Sequence, residues 1–310
     1  MINKILELSF FKSNPPVLMD IGASGEINSK WLPIAEKSVC ICFDADDREF
    51  SVTEQASENY KKLIKINRVV TSKNENEDKF YLTASPFCSS TLKPDSQSLK
   101  PWLFRSYFNI TKTVSVKAIS VEAAMSEIGI EYIDWFKTDT QGTDLRLYQS
   151  LPDKVKKSVI TAEFEPGIID AYIGEDKLHH ILKELHNESF WLSDISVKGT
   201  QRIKEELLKD IPEYRIKAFI KESPCWAELT FFRQPELLSK RQLWLMIIFA
   251  LLEKQYGFVL EICDVLHSKH PEPLIAECRN YIFSYLKNKK IKVSFKKRVL
   301  NLLYRISHSK

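Results

Sequence analysis

The chain has 310 residues, of which 44% are hydrophobic and 28% charged, the balance of a globular protein whose core needs neither disulfides nor a metal staple. Its longest apolar run, Leu243 to Leu252, falls far short of the roughly 20 residues of a membrane span, and no C-x-x-C pair marks a zinc knuckle. The net charge of +4 is uneven: residues 278–310 carry ten Lys or Arg and no acid, against 35 basic and 41 acidic residues before them, so a mildly acidic body ends in a basic segment suited to an anionic contact.

Residues 1–16 read as a lead segment without a clear secretory cleavage site, and free thiols are expected, which together predict a cytoplasmic protein. After Pro15-Pro16, Val17 to Gly22 is a buried strand that ends in Asp20 and a glycine. A short helix is expected within Ile27 to Lys37, then a second buried strand over Val39 to Asp44, with Cys40 and Cys42 alternating along it. A helix over Val52 to Lys62 and a third strand over Ile66 to Val70 continue the alternation. Continuous apolar strands separated by helices predict a parallel sheet covered on both faces. Lys79 to Thr83 and Thr113 to Lys117 alternate like strands around a loop rich in Ser, Pro and Thr. Ser120 is placed to cap a helix over Val121 to Ile128 that Gly129 ends. Further strands are expected at Ile133 to Asp139, Val159 to Phe164, Phe190 to Leu192 and Cys225 to Phe232, with helices at Leu145 to Ser150 and Asp176 to Leu185. The prediction is an α/β fold: a doubly wound, mostly parallel, seven-stranded Rossmann-like sheet over residues 17–236, its last two strands forming an antiparallel edge. Residues 196–224 read as a polar, partly helical insertion near the rim. From about Ser239 the pattern is helical only, near 240–256, 258–268, 272–287 and 292–307, an added basic segment over 237–310.

Chemistry gathers at strand ends. Gly22 and Gly25 share a turn, Asp20-Ile21-Gly22-Ala23-Ser24-Gly25, that lets backbone approach a ligand and opens a helix N-terminus toward it. Ligands of open parallel sheets bind at the carboxyl ends of the strands. Asp20 suits the cationic amino-acid end of a ligand and opposes a pyrophosphate, and D-x-G-x-x-G departs from the G-x-G-x-x-G of dinucleotide folds. Asp44 and Asp46 follow Asp20 by 24 and 26 residues, where an acid can accept ribose hydroxyls. The run Lys137 to Leu145 ends a strand in Asp139, turns at Gly142 and begins a capped helix, which sets Asp139 beside the same crevice. An ordinary tight turn accounts for the glycine and the cap but not for the acid.

Five segments resemble, in family order, the FkbM-type methyltransferases: VLMDIGASGEI (17–27), FDAD (43–46), SPFCSSTL (85–92), IDWFKTDTQGTDLRLYQSL (133–151) and VITAEFEPGIIDAYIG (159–174). The resemblance spans roughly residues 17–232, and K-x-D-x-Q-G-x-D-L is its most specific piece. It departs from the family at Tyr148-Gln149-Ser150, where a glycine commonly ends the helix, and the C-terminal helices lie outside it. It implies a class I methyltransferase fold, S-adenosyl-L-methionine as donor and a hydroxyl acceptor on a sugar or glycan. Asp20, Gly22, Gly25, Asp44 and Asp46 are then expected at the donor, together with Val70 at the third strand's end, Ser90 of the Ser-rich loop, and Asp139. Asp139 is expected to organise the transfer. Glu163, ending the following strand, is the expected base, because a neutral hydroxyl must give up its proton as it attacks.

Two other classes stay open on the sequence: a non-catalytic module that keeps the fold for scaffolding in glycan assembly, and a nicotinamide-dependent oxidoreductase, which Asp20 and the missing glycine oppose. His179 and His180, about 100° apart on a helix, read as surface or packing residues, and no metal site is expected. In the last predicted helix Phe295, Val299, Leu302, Leu303 and Ile306 share one face, while Lys292, Lys296, Lys297, Arg298 and Arg305 lie mostly elsewhere. Such a helix either lies on an anionic membrane surface or packs on its neighbours with a solvated basic face. Nucleic acid is not an expected partner of an acidic body.

Overall fold

The computed structural model describes residues 1–23, 28–44, 61–73, 75–208 and 211–289. In chain order α1 (Ile2–Leu6) and α2 (Ser9–Ser13) precede β1 (Val17–Ile21), and α3 (Leu32–Ala35) precedes β2 (Val39–Phe43). Then come β3 (Lys62–Ile66), β4 (Val69–Thr71), β5 (Glu77–Thr83), α4 (Ser96–Leu99) and β6 (Ile110–Ser120). α5 (Val121–Ile128), β7 (Trp135–Thr138), α6 (Asp144–Gln149), α7 (Asp153–Ser158) and β8 (Thr161–Phe164) follow. The series ends with α8 (Leu178–Asn187), β9 (Phe190–Gln201), α9 (Glu213–Phe219), β10 (Glu222–Arg233), α10 (Lys240–Leu252), α11 (Tyr256–Lys269) and α12 (Pro273–Asn288).

All five residues of β1 and of β2 are buried, because alternate side chains enter two separate cores. Met19, Ile21, Ile41 and Phe43 face one core with α5, α6, α7 and α8. Leu18, Cys40, Trp135 and Phe232 face the other with α1, α3, α10, α11 and α12. Between these layers runs a seven-stranded sheet in the order β3-β2-β1-β7-β8-β10-β9. Its strands are parallel except β10, which is antiparallel to both neighbours. The architecture is therefore doubly wound and Rossmann-like, as the apolar strand pattern predicts. A second, three-stranded sheet has the order β4-β6-β5.

The second core joins the two ends of the described chain. α10 buries every residue from Leu243 to Ala250, and a helix apolar all round is stable only when covered on all sides. The sheet covers one side; Ile5, Leu6 and α11 contribute to the rest. Phe249 meets Trp135 edge-on at 4.6 Å. A capping box of Ser239 and Gln242 starts the helix. Beside it Arg241 grips the buried Asp134 carboxylate through two 2.8 Å contacts and donates to the carbonyls of Asn14 and Pro15. Lys4 pairs with Glu277 across the same layer. The lead helices and the C-terminal helices thus build a layer that one sheet face requires.

Some expectations change. The third core strand is β3, not Ile66 to Val70: Asn67-Arg68 interrupt the run, and Val69–Thr71 joins β6 instead. Lys62 starts that strand, so Lys62 is not part of the helix expected over Val52 to Lys62, whose residues 52–60 lie outside the described ones. The two ends of 196–224 are hairpin strand, since β9 and β10 keep pairing as far as Gln201 and Glu222, and the partly helical stretch expected there lies between them. A register shift beside Pro224 accommodates the missing N–H. A 3-10 turn at Glu205–Leu208 and α9 make up the helical part. The basic helix expected over 292–307 lies outside the described residues. Among the described residues no helix is long and apolar enough to cross a membrane.

Candidate functional site

Where the parallel strands stop, a cavity of about 580 Å³ opens, inside the roughly 300–1,000 Å³ range of small-molecule sites. Ile21 and Gly22 after β1, Phe43 and Asp44 after β2, Asp139 and Thr140 after β7, and Glu165 after β8 all line it. Gly22 is needed there twice over. Its φ is +85°, and a Cβ would stand 2.0 Å from the Asp139 carbonyl oxygen, so only glycine lets the end of β1 lie against that of β7. Val70, Phe80, Phe104 and Trp226 form apolar walls. Phe87 and Tyr107, 64% and 57% exposed, stand at the rim.

The lining is acidic. Asp44, Asp139, Glu165 and Glu175 contribute carboxyls, whereas the one cation among the described lining residues, Arg68, is paired with Glu127 at 3.0 Å. The turn after β7 is pinned. Gln141, at a φ of 57°, donates from Nε2 to Asp139 Oδ1 at 2.7 Å, and the Tyr172 hydroxyl lies 3.2 Å from Gln141 Oε1 and 2.9 Å from the Cys88 carbonyl. Asp144, wholly buried beneath the turn, accepts from the Thr140 amide at 3.1 Å and the Thr140 hydroxyl at 3.2 Å. Burial, then the Asp139 charge, push its carboxyl up to about 7. Glu165 is pushed up to about 9, by burial first and then by Asp139, Glu228 and Asp144, with Lys137 opposing.

Of the residues expected at the donor, Gly22, Asp44, Val70 and Asp139 line this one cavity. Asp20 does not. It is one of a row of cross-strand neighbours, Asp20, Lys137 and Glu163, that points to the face covered by α10. Lys137 Nζ sits 2.6 Å from Asp20 Oδ1. Burial raises the Asp20 carboxyl while Lys137 pulls it down, and the neighbouring carboxylates outweigh burial to hold Lys137 charged. The cationic partner foreseen for Asp20 is therefore a lysine of the chain itself. Glu163 is likewise outside the lining: Lys30 Nζ donates to both its oxygens, at 3.0 and 3.1 Å, and also pairs with Glu253 at the end of α10 at 2.8 Å. So engaged, Glu163 does not face a hydroxyl in the cavity. Ser90 is buried and spends its hydroxyl on the Gln141 carbonyl at 2.8 Å, fastening the turn, while its neighbour Ser89 lines the cavity. Gly25 and Asp46 lie outside the described residues. Glu165, Gln141 and Tyr172 were not singled out in the sequence. Gln141 lies within the most specific motif, which was the available signal; Glu165 is set apart from Glu163 only by where β8 ends. Comparison of the chain with models of known protein families and with curated proteins gives no match.

Proposed function

We propose that the protein is an S-adenosylmethionine-dependent O-methyltransferase acting on a hydroxyl of a sugar or glycan. The observation that carries this reading is the acidity of the cavity: aspartates from the tips of β2 and β7 and a titratable glutamate from the tip of β8 against one paired arginine. Such a lining opposes a pyrophosphate and favours a cation. The sheet order, with its single antiparallel strand next to the edge, resembles that of class I methyltransferases and agrees with the motif resemblance.

The residues present fit the donor. The Gly22 cradle brings bare backbone to the ligand, Phe43 and Val70 offer apolar walls for a purine, Asp44 offers acceptors for ribose hydroxyls, and Asp139 offers a carboxylate for a cationic centre. S-adenosylmethionine, when bound, supplies a methyl carbon on a positively charged sulfur. The chain's own task is alignment and exclusion of water. Asp139 is kept from swinging by Gln141, and Phe87, Tyr107 and Trp226 present flat faces suited to the apolar side of a sugar ring.

Titration calorimetry with S-adenosylmethionine, followed by a mass-spectrometric transfer screen over nucleotide sugars, lipid-linked sugars and oligosaccharides, tests the reading. Donor binding and methylation of a hydroxyl acceptor are expected. A chain that binds no donor is a scaffold of the same fold instead.

A further inference from the structure

The carboxyls at the cavity differ in one respect. Asp139 is held by Gln141 at 2.7 Å, Glu175 by Lys177 at 2.7 Å and by the Ala171 amide at 2.6 Å, and Asp44 is engaged as well. Glu165 lines the cavity yet makes no hydrogen bond or ion pair among the described residues. It stands just past the end of β8, between Asp139 on one flanking strand tip and Trp226 of β10 on the other. Glu165 is half-buried, so its carboxyl opens on the cavity rather than into the protein, where a group entering from outside can complete it.

We propose that Glu165 is the catalytic base, accepting the proton of the acceptor hydroxyl, and that it exchanges a proton with solvent when a sulfonium donor enters the cavity. The proposal rests on the donor reading above. The charged and titratable groups around Glu165 are Asp139 and Lys137 of the β7 segment, Asp144 of α6, Glu228 of β10 and the Tyr172 hydroxyl. Acids outnumber the one lysine, and with burial they keep the carboxyl protonated until about 9. A positive charge within ~4–6 Å lowers a carboxyl by about 1–3 units, enough to ionise it near pH 8. In the transfer, the acceptor oxygen–carbon bond forms as the carbon–sulfur bond breaks. The electron pair of the broken bond stays on sulfur, and the hydroxyl proton passes to a Glu165 carboxylate oxygen. The donor's positive charge and the glutamate's negative charge vanish together, so the product state suits a neutral glutamic acid among acidic neighbours. Neither Glu163, bound by Lys30, nor Asp139, bound by Gln141, is free in this way.

The test is titration calorimetry of the full chain at pH 8 in HEPES and in Tris, whose ionisation enthalpies differ, with S-adenosylmethionine and with its neutral-sulfur product S-adenosylhomocysteine. Wild type is expected to release up to one proton on binding the sulfonium and none on binding the thioether, and Glu165→Gln to bind the sulfonium with no release. The wild-type comparison of the two ligands stands even where the variant folds poorly. Equal release with both ligands, or release from Glu165→Gln equal to that of wild type, overturns the proposal and leaves the donor reading intact. Absence of donor binding by wild type overturns both.

Discussion

The two ends of the parallel strands treat an acid in opposite ways. At the amino ends Asp134 is answered completely, by both terminal guanidinium nitrogens of Arg241 and by the Val17 amide. At the carboxyl ends the half-buried Glu165 has no hydrogen bond or ion pair among the described residues and is driven up to about 9. One edge is finished by the chain; the other, on the donor reading proposed above, is completed by a charge brought from outside. Local rules are met where the sheet is merely held together and broken at the cavity, the pattern expected where a fold gives up stability for a site.

The contrast is broken most forcefully at Arg241. Arg241→Ala strands the Asp134 charge in the interior and is expected to cost about 3–5 kcal/mol, read from urea denaturation; a loss under about 1 kcal/mol would mean that other contacts hold this edge. Gly22→Ala forces a side chain onto the Asp139 carbonyl and a strained φ, with an expected cost of roughly 1–3 kcal/mol. Donor binding should disappear in calorimetry while circular dichroism keeps its native shape, and retained affinity would show that the two strand ends can part without harm. Glu165→Gln acts with the opposite sign. The unfolded chain loses this proton near the ordinary glutamate value, the folded chain only near 9. Between those limits the unfolded state binds fewer protons, so each rise in pH favours unfolding through this group. The variant should melt higher than wild type at pH 8, with the difference fading below about pH 4; a gap that ignores pH would contradict an unpartnered carboxyl.

What could be read in the sequence was local. β1 and β2 follow from unbroken apolar runs, and α5 falls on the expected residues because Ser120 and Gly129 act through adjacent backbone: the Ser120 hydroxyl accepts from the Ala123 amide and Gly129 takes a left-handed φ. Asp44 and Asp139 were visible as acids closing apolar strands. Asp20 looked the same and is not, because its partner Lys137 lies 117 residues away and only strand register brings them together. Glu163 and Glu165 are chemically identical in the sequence; the last residue of β8, Phe164, decides which meets the sheet face and which the cavity. The role of Leu243 to Leu252 was hidden for a similar reason, since an apolar run does not say which surface it will cover.

That covering has a temporal side. Translation delivers all seven strands before the first turn of α10, so while Lys240 is still inside the ribosome Leu18, Cys40, Trp135 and Phe232 have only α1, α2, α3 and Trp31 for shelter. The nascent sheet carries a greasy, unshielded flank through most of its synthesis, the kind of surface that chaperones hold. On this ordering, completion of that core awaits the C-terminal helices rather than the strands themselves.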